Sequence, residues 1–467
     1  MKIIYIHIEI TAREYYSKLL LSYFAAKEGY TVIIGDILRF FKYNTNHKGI
    51  FHFKDIAPSS LNLLLFKKLK KSGFQITSID EEGGIEYKNF DSKKSNSFQR
   101  LRFSNETISL VDKVFTWGNF DHDSLLQEYK NFKNKIVNTG NSRYDFCSSK
   151  LDFFFDQEKD LSEEKNKKPI LIVSDLGYAM SQKPIWDQFQ VLREAYFKDD
   201  NLNNYEFELY ENFANKTLFL GEFVKLIRKL VKDFPDEKFV LRPHPTESVS
   251  AWKKIVGKYK NLEINNDDTS VHWIRKSKLM IHNSCYTSLE ASLLKKPIIS
   301  FCPENCINFR KYFTAKIGIQ NKDFLEVKKN LESFLKNEKI FDDNIQSNFD
   351  LVKDRIEFKE KLSSKSILEE WKTLDKFIED NSKSGKLRFF LSLYLIKFLF
   401  FLRSFLKISL NFLNIRFKNH SKFIEFDERL IRDDLDKLNK SLLTNVKGSF
   451  KVNKFDKNLC LVEFNKK

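Results

Sequence analysis

Ile3-Ile4-Tyr5-Ile6-His7-Ile8, a helical pattern over Glu14–Lys27, then Gly29 and Tyr30-Thr31-Val32-Ile33-Ile34-Gly35 open the chain. The first run is apolar throughout and reads as a strand buried on both faces. In the helical stretch Leu19, Leu20, Tyr23 and Phe24 share one side. Gly29 supplies a stop. Strand, helix, glycine and strand in so short a stretch make a βαβ unit, and βαβ units imply a parallel sheet covered by helices.

Working outward, Gln75–Ile79, Lys113–Thr116 and Lys135-Ile136-Val137 read as further strands of the same sheet. Gln157–Lys168 is strongly charged and reads as a linker. A second α/β unit opens at Pro169–Ser174 and continues through a helix near Leu218–Asp233. Its later strands are Lys238–Arg242, Lys278–Ile281 and Pro297–Phe301. Residues 322–380 read as helical. The expected extents are 1–155 for an N-terminal Rossmann-like domain, 168–340 for a second, 341–380 for a helical segment, 386–416 for an amphipathic helix and 421–467 for a small tail.

The chain has 467 residues, 42% of them hydrophobic, enough for two or three domain cores. Its net charge of +17 goes with abundant Lys and 47 Phe. Such a charge suits nucleic acid, an anionic membrane or phosphorylated substrates. The excess is uneven: residues 381–420 hold eight Lys or Arg and no Asp or Glu, among many Phe and Leu. As a helix over 388–415, Phe390, Leu391, Tyr394, Leu395, Phe398, Phe401, Leu402, Phe405, Phe412 and Leu413 fall on one face. Arg388, Lys397, Arg403 and Lys407 fall on the other. The charges interrupt it too often for a membrane span. An interfacial helix on an anionic membrane surface fits better, and a core helix is the alternative. Basic residues set among Phe and Leu suit lipid rather than a phosphate backbone, so nucleic acid is not expected as a partner.

Five cysteines, Cys147, Cys285, Cys302, Cys306 and Cys460, are odd in number and irregular in spacing, so neither a disulfide framework nor a zinc site is expected. The start of the chain reads as a strand rather than a secretory signal. The expected location is cytoplasmic, peripheral on the inner face of the cytoplasmic membrane.

Three stretches carry chemistry. Leu241-Arg242-Pro243-His244-Pro245-Thr246-Glu247 follows a strand, where open α/β sheets bind ligands. A guanidinium fork and an imidazole there suit a phosphate leaving group. Ser284, Thr287 and Ser288 open a helix after a strand, where free N–H groups attract an anion, and Glu290 one turn on can accept from ribose hydroxyls. Ile79-Asp80-Glu81-Glu82-Gly83-Gly84 follows a strand of the first unit. Clustered carboxylates repel one another's ionisation, so one is expected to titrate upward and serve as a general base. Asp121-His122-Asp123 is the nearest approach to a metal motif, and its expected role is capping the helix that follows. No metal or cofactor is required.

Glu81-Glu82-Gly83, His244-Pro245 and the later Ser284, Thr287 and Ser288 resemble the motifs of bacterial sialyltransferases, in the same order. The chain is similar more broadly to bacterial surface-carbohydrate and capsule biosynthesis proteins, which share features with CDP-glycerol glycerophosphotransferases and Kdo transferases. Arg13-Glu14, Asp80–Gly83, Thr139-Gly140-Asn141-Ser142-Arg143-Tyr144-Asp145, Arg242–Pro245 and Ser284–Pro297 are the matching positions. The resemblance implies two Rossmann-like domains facing a cleft (GT-B). It also implies transfer from a nucleotide-activated sugar or polyol, CMP- or CDP-linked, to a glycan or lipid-linked acceptor. Glu81 or Glu82 would deprotonate the acceptor hydroxyl, and Arg242 and His244 would stabilise the departing phosphate. The rival readings are a UDP-sugar epimerase on the same fold and a non-catalytic scaffold.

Overall fold

A computed structural model describes residues 1–40, 47–83, 102–156, 168–181, 187, 189–190, 203–306, 312–378, 389–395, 397–398, 425–442 and 447–466. Gly84, most of the charged linker and much of the 386–416 segment lie outside the described residues. The chain divides into two compact units. The first gathers the described residues up to Asp156 and again from Arg355 on, and the second holds those from Lys168 to Asp354. Both are Rossmann-like α/β units, as expected.

In the first unit β1 (Ile3–His7), β2 (Thr31–Gly35), β3 (Ile50–Phe53), β4 (Gln75–Ile79), β5 (Lys113–Thr116) and β6 (Ile136–Asn138) form a parallel sheet in the order β2-β1-β3-β4-β5-β6. The helix Thr11–Lys27 links β1 to β2. Gly29 ends it in the left-handed region at φ 89°, with Gly29 N–H donating to Ala26 O and Tyr30 N–H to Ala25 O. Because β1 pairs with both β2 and β3, the connections diverge there, and the carboxyl ends of β1 and β3 flank a topological switch point.

Two features of this unit differ from the sequence reading. The segment 421–467 does not stand apart: β13 (Gly448–Asp456) and β14 (Leu459–Lys466) form a hairpin, and β14 adds antiparallel to β2 as an extension of the same sheet. The helical stretch 341–380 is shared between the units. Asp342–Lys353 stays with the second, while Ser363–Leu374 packs beside Thr11–Lys27 in the first. Asp145 holds it there, its carboxylate accepting from Ser363 N (2.8 Å), Ser364 N (2.9 Å) and Ser364 Oγ (2.6 Å). Gly140, at φ 74°, makes room, since a Cβ on it would lie 2.2 Å from Ser363 Oγ.

The second unit is an all-parallel sheet of β7 (Ile170–Val173), β8 (Phe239–Arg242), β9 (Leu262–Ile264), β10 (Leu279–His282), β11 (Ile298–Phe301) and β12 (Ile319–Asn321), in the order β12-β11-β10-β7-β8-β9. Its switch point lies between β7 and β10. Asn283 bridges it, Oδ1 accepting from Asp175 N at 2.8 Å. The helix read at Leu218–Asp233 is longer, Asn203–Asp233. All five cysteines are free and buried.

From Phe389, a helix packs on the face of the first sheet that carries Ile3, Tyr5, Ile33 and Phe51. Phe389 and Leu393 are buried there, while Leu391, Tyr394, Leu395 and Phe398 are exposed. Among the described residues no helix is long and apolar enough to cross a membrane.

Candidate functional site

The switch point of the first sheet gathers charge of both signs. After β4, Glu81 is buried and ion-paired with the fully buried Lys18 of the first helix, and accepts from Asn141 Nδ2 at 3.2 Å. Lys18 Nζ also lies 3.4 Å from His52 Nε2. Glu82 is reached by Arg13 Nη1 at 3.2 Å and Arg102 Nη1 at 3.4 Å. Arg102 also clasps Asp80, with Nε to Oδ2 at 2.9 Å. Arg13 Nη2 donates to Glu14 at 2.8 Å. Lys54, after β3, pairs with Glu9 and Asp55. Arg13, Glu14, Glu81 and Glu82 are thus brought together. Arg143 sits in the turn after β6, its N–H on Asn141 Oδ1 and its guanidinium over the Tyr144 ring.

The electrostatics reverse the sequence expectation for the pair. Burial pushes the Glu81 carboxyl up, but Lys18 outweighs it and the net shift is down. Glu82 is brought down to about 2, because Arg13, Lys54 and Arg102 together overcome its burial. Mutual repulsion of the acids does not prevail, because cations from three other elements interleave with them. The carboxyl that moves up is Glu14, through burial that Arg13 offsets only in part. Accessibility also separates the pair: the Glu82 side chain is 41% exposed and that of Glu81 is 2% exposed. Only Glu82 is open to a solvent-borne hydroxyl.

In the second unit Arg242 ends β8, and its Nη2 donates to Asp268 O at 2.5 Å. His244 follows, half-buried. Its Nδ1 accepts from Thr246 N–H at 3.2 Å and lies 2.8 Å from Thr246 Oγ1. An Nδ1 occupied as an acceptor leaves the proton of the neutral ring on Nε2. The Pro-His-Pro-Thr turn therefore fixes a tautomer. Asp268 and Ser284 are both non-glycine residues in the left-handed region, at φ 59° and 69°, and both lie in loops following strands of this sheet. Ser284 Oγ is held by Thr314 Oγ1 at 2.9 Å.

The helix expected to open near Ser284 runs Thr287–Leu293, a bare two turns. Two residues assigned to ligand binding turn inward instead. Glu290 is buried and accepts from Ser270 Oγ at 2.5 Å, and Ser288 is fully buried. Residues on the inner side of so short a helix belong to its packing. Thr287 is at its first position, its N–H and hydroxyl against Cys285 Sγ. Ser284, and not Glu290 or Ser288, is the partly exposed member of this group.

Some residues of these sites escaped the sequence reading. Lys18 lies within an apolar helical run. Its only signal is its spacing from Glu14, four residues, which puts both on one stripe. Glu247 closes the Arg-Pro-His-Pro stretch. Its buried carboxylate accepts from Ser174 Oγ (2.5 Å), Leu176 N (2.6 Å), Gly177 N (3.0 Å) and Trp252 Nε1 (2.8 Å), tying the loop after β7 to the loop after β8. Asp121 caps the helix Asn119–Glu128 as expected, accepting from Trp117 N at 2.8 Å and Gly118 N at 3.0 Å. Among the described residues no group of three or more His, Cys, Asp or Glu is placed to hold a metal ion.

No family model matches the chain, and no curated protein matches it in sequence. Among solved structures it is similar to S. aureus MnaA with UDP, at 14% identity over 81% of this chain and 98% of that one, with a TM-score of 0.45. It is similar to the UDP-GlcNAc 2-epimerase of Neisseria meningitidis bound to UDP-GlcNAc, at 12% identity over 80% and 100%, with a TM-score of 0.47. It is also similar to the wall teichoic acid polymerase TagF, at 14% identity over 81% and 90%, with a TM-score of 0.46. Likeness at this level assigns no residue a role.

Proposed function

We propose that the chain is a glycosyltransferase, or polyol-phosphate transferase, that moves a CMP- or CDP-activated group onto a surface glycan or lipid-linked acceptor. The observation that carries this reading is the fixed tautomer of His244. An Nε2–H donor two residues beyond Arg242, in the turn at the carboxyl end of a parallel strand, suits a phosphate whose charge grows as the bond to it breaks. Ser284, in the loop after β10, is a further partly exposed hydroxyl at the carboxyl ends of the same sheet.

On the acceptor side Glu82 is the favoured base of the pair. In an oxocarbenium-like transition state the acceptor oxygen is already gaining positive charge when it gives up its proton. A carboxylate titrating near 2 is base enough for such an oxygen. For a sugar, the bond from the transferred carbon to the acceptor oxygen forms and the bond from that carbon to the phosphate oxygen breaks; for a polyol phosphate, the acceptor oxygen bonds to the transferred phosphorus and the bond from that phosphorus to the bridging oxygen breaks. The electron pair leaves with the nucleotide and the proton goes to Glu82. Glu81, held ionised by Lys18, keeps the turn in place.

The test is transfer of label from CMP- and CDP-linked donors to membrane glycan, after a thermal-shift screen with CMP, CDP, UDP and GDP to choose the nucleotide. His244→Ala should lower turnover by roughly 10²–10³ while the fold is kept. Near-normal turnover in a folded His244→Ala protein would remove the reading. Release of free sugar from a UDP-linked donor, with no glycan product, would favour an epimerase.

A further inference from the structure

Among the described residues of the first unit, Leu38, Phe153, Phe377 and Leu430 are exposed singly on other elements, whereas six further exposed large apolar side chains gather on two helices. In the helix Ser60–Lys71, Phe66 and Leu69 are buried and Leu61 and Leu64 are 79% and 69% exposed. In the helix starting at Phe389, Phe389 and Leu393 are buried, whereas Leu391, Tyr394, Leu395 and Phe398 are 56–70% exposed. The spacing of those four, three and four residues apart, is one stripe of a helix.

Both helices anchor in the same core layer. Phe66, Leu69, Phe389 and Leu393 pack with Ile3 and Tyr5 of β1, Ile33 of β2 and Phe51 and Phe53 of β3. Alternate residues of a strand point to opposite faces, so these odd-numbered positions define one face of the sheet. The outer sides of both helices therefore point away from that one face. Exposed leucines and aromatics on a single side are more than solvent-facing helices ordinarily carry.

Charge tells what covers them. Along the outer side of Ser60–Lys71 the two leucines give way to Lys68 and Lys71, both exposed and neither ion-paired with a described residue. Lys397 is exposed in the second helix. The sequence around that helix, residues 381–420, has eight basic residues and no acid. Apolar side chains edged by exposed lysines match a lipid surface with anionic headgroups, because lysine stems reach upward while the chain's apolar parts enter the acyl boundary.

We propose that this face of the first unit docks on an anionic lipid surface through two helices. Leu61 and Leu64 form one contact, Tyr394 and Phe398 with their neighbours the other, and Lys68 and Lys71 meet the phosphates. The helix Ser60–Lys71 makes this independent of the catalytic proposal, since binding is measured without donor or acceptor.

The experiment is co-sedimentation of the full chain with phosphatidylcholine vesicles and with vesicles containing phosphatidylglycerol. Wild type should bind the second and be partly released by salt, which screens the lysines but not the apolar contact. Leu61→Asp/Leu64→Asp should weaken binding by about tenfold per leucine, and Lys68→Glu/Lys71→Glu should abolish the preference for phosphatidylglycerol. Leu61→Gln/Leu64→Gln serves as a milder variant should the aspartates disturb the fold. Unchanged vesicle binding by both leucine variants overturns the proposal. So does a wild type that ignores vesicles, whether because two copies pair through this face, seen as a dimer that Leu64→Asp dissociates, or because residues 399–424 cover it, seen as binding gained on their deletion.

Discussion

Lys18→Met tests whether the first unit is built around a buried ion pair. The Lys18 side chain is fully buried, Glu81 nearly so, and Glu14 is a second buried carboxyl close by. Methionine keeps the length and apolar stem of lysine and removes only the charge. Removing one partner of a buried pair costs about 3–5 kcal/mol, because the other charge is left uncompensated. For a unit of this size that corresponds to a fall in melting temperature of about 6–20 °C. With its cation gone, Glu81 would be governed by burial and its pKa would rise. The defect should therefore be larger at pH 8, where Glu81 must ionise, than at pH 5. Lys18→Met/Glu81→Gln should recover most of the loss, since it leaves no unpaired charge. Because two units can unfold separately, hydrogen exchange of β1 and β4 peptides accompanies the thermal melt. A single variant melting within about 2 °C of wild type, as a surface substitution would, refutes the pair.

Glu82→Gln should abolish transfer with nucleotide affinity retained, whereas Glu81→Gln should lower stability more than Glu82→Gln does; equal activity of wild type and Glu82→Gln would remove its role as base. Burial holds His282 down at about 4 and, helped by Lys54, His7 at about 3, against an ordinary 6.5. Their contribution to stability is complete above pH 6.5 and is lost as pH falls towards those values, at up to about 1.4 kcal/mol per pH unit each. Melting temperatures should therefore drop between pH 6.5 and 4, and a flat profile there would contradict the burial. Gly140→Ala should loosen the helix Ser363–Leu374, because its Cβ would meet Ser363 Oγ at 2.2 Å in a left-handed backbone; limited proteolysis near residue 360 should quicken, and an unchanged digest would count against the clasp.

Strands flanked by helices on both faces announce themselves as apolar runs, which is why β1, β2, β4, β5, β6, β7, β8, β10 and β11 were legible. The missed strands have reasons. In β3, Ile50-Phe51-His52-Phe53, a histidine interrupts the run, yet His52 is fully buried with Nδ1 beside Thr77 Oγ1 at 3.1 Å. A buried polar residue with partners looks like a surface residue in sequence. β9 and β12 have three residues each and are half exposed, too short to show a period. The pairing of Val32 with Val462 joins the two ends of the chain, and no local pattern encodes it.

The site was legible in its residue types and opaque in its polarity. Arg13, Glu14, Glu81 and Glu82 converge because each lies at the carboxyl end of a strand or in the helix that follows, and that much is topology. Which acid stays buried depends on where the first helix places Lys18, and a lysine among leucines reads as solvent-facing until the sheet is assembled. The same logic separates Arg242 and His244 from Glu290. A strand-end residue points into the loops wherever the sheet is parallel, whereas a residue one turn into a helix can face either way. Glu290 faces in, towards Ser270, and His244 is aimed by an acceptor contact with its own turn. The placement of a residue at a strand's end is therefore readable from order alone, whereas the facing of a residue on a helix's side requires the partner that the helix packs against.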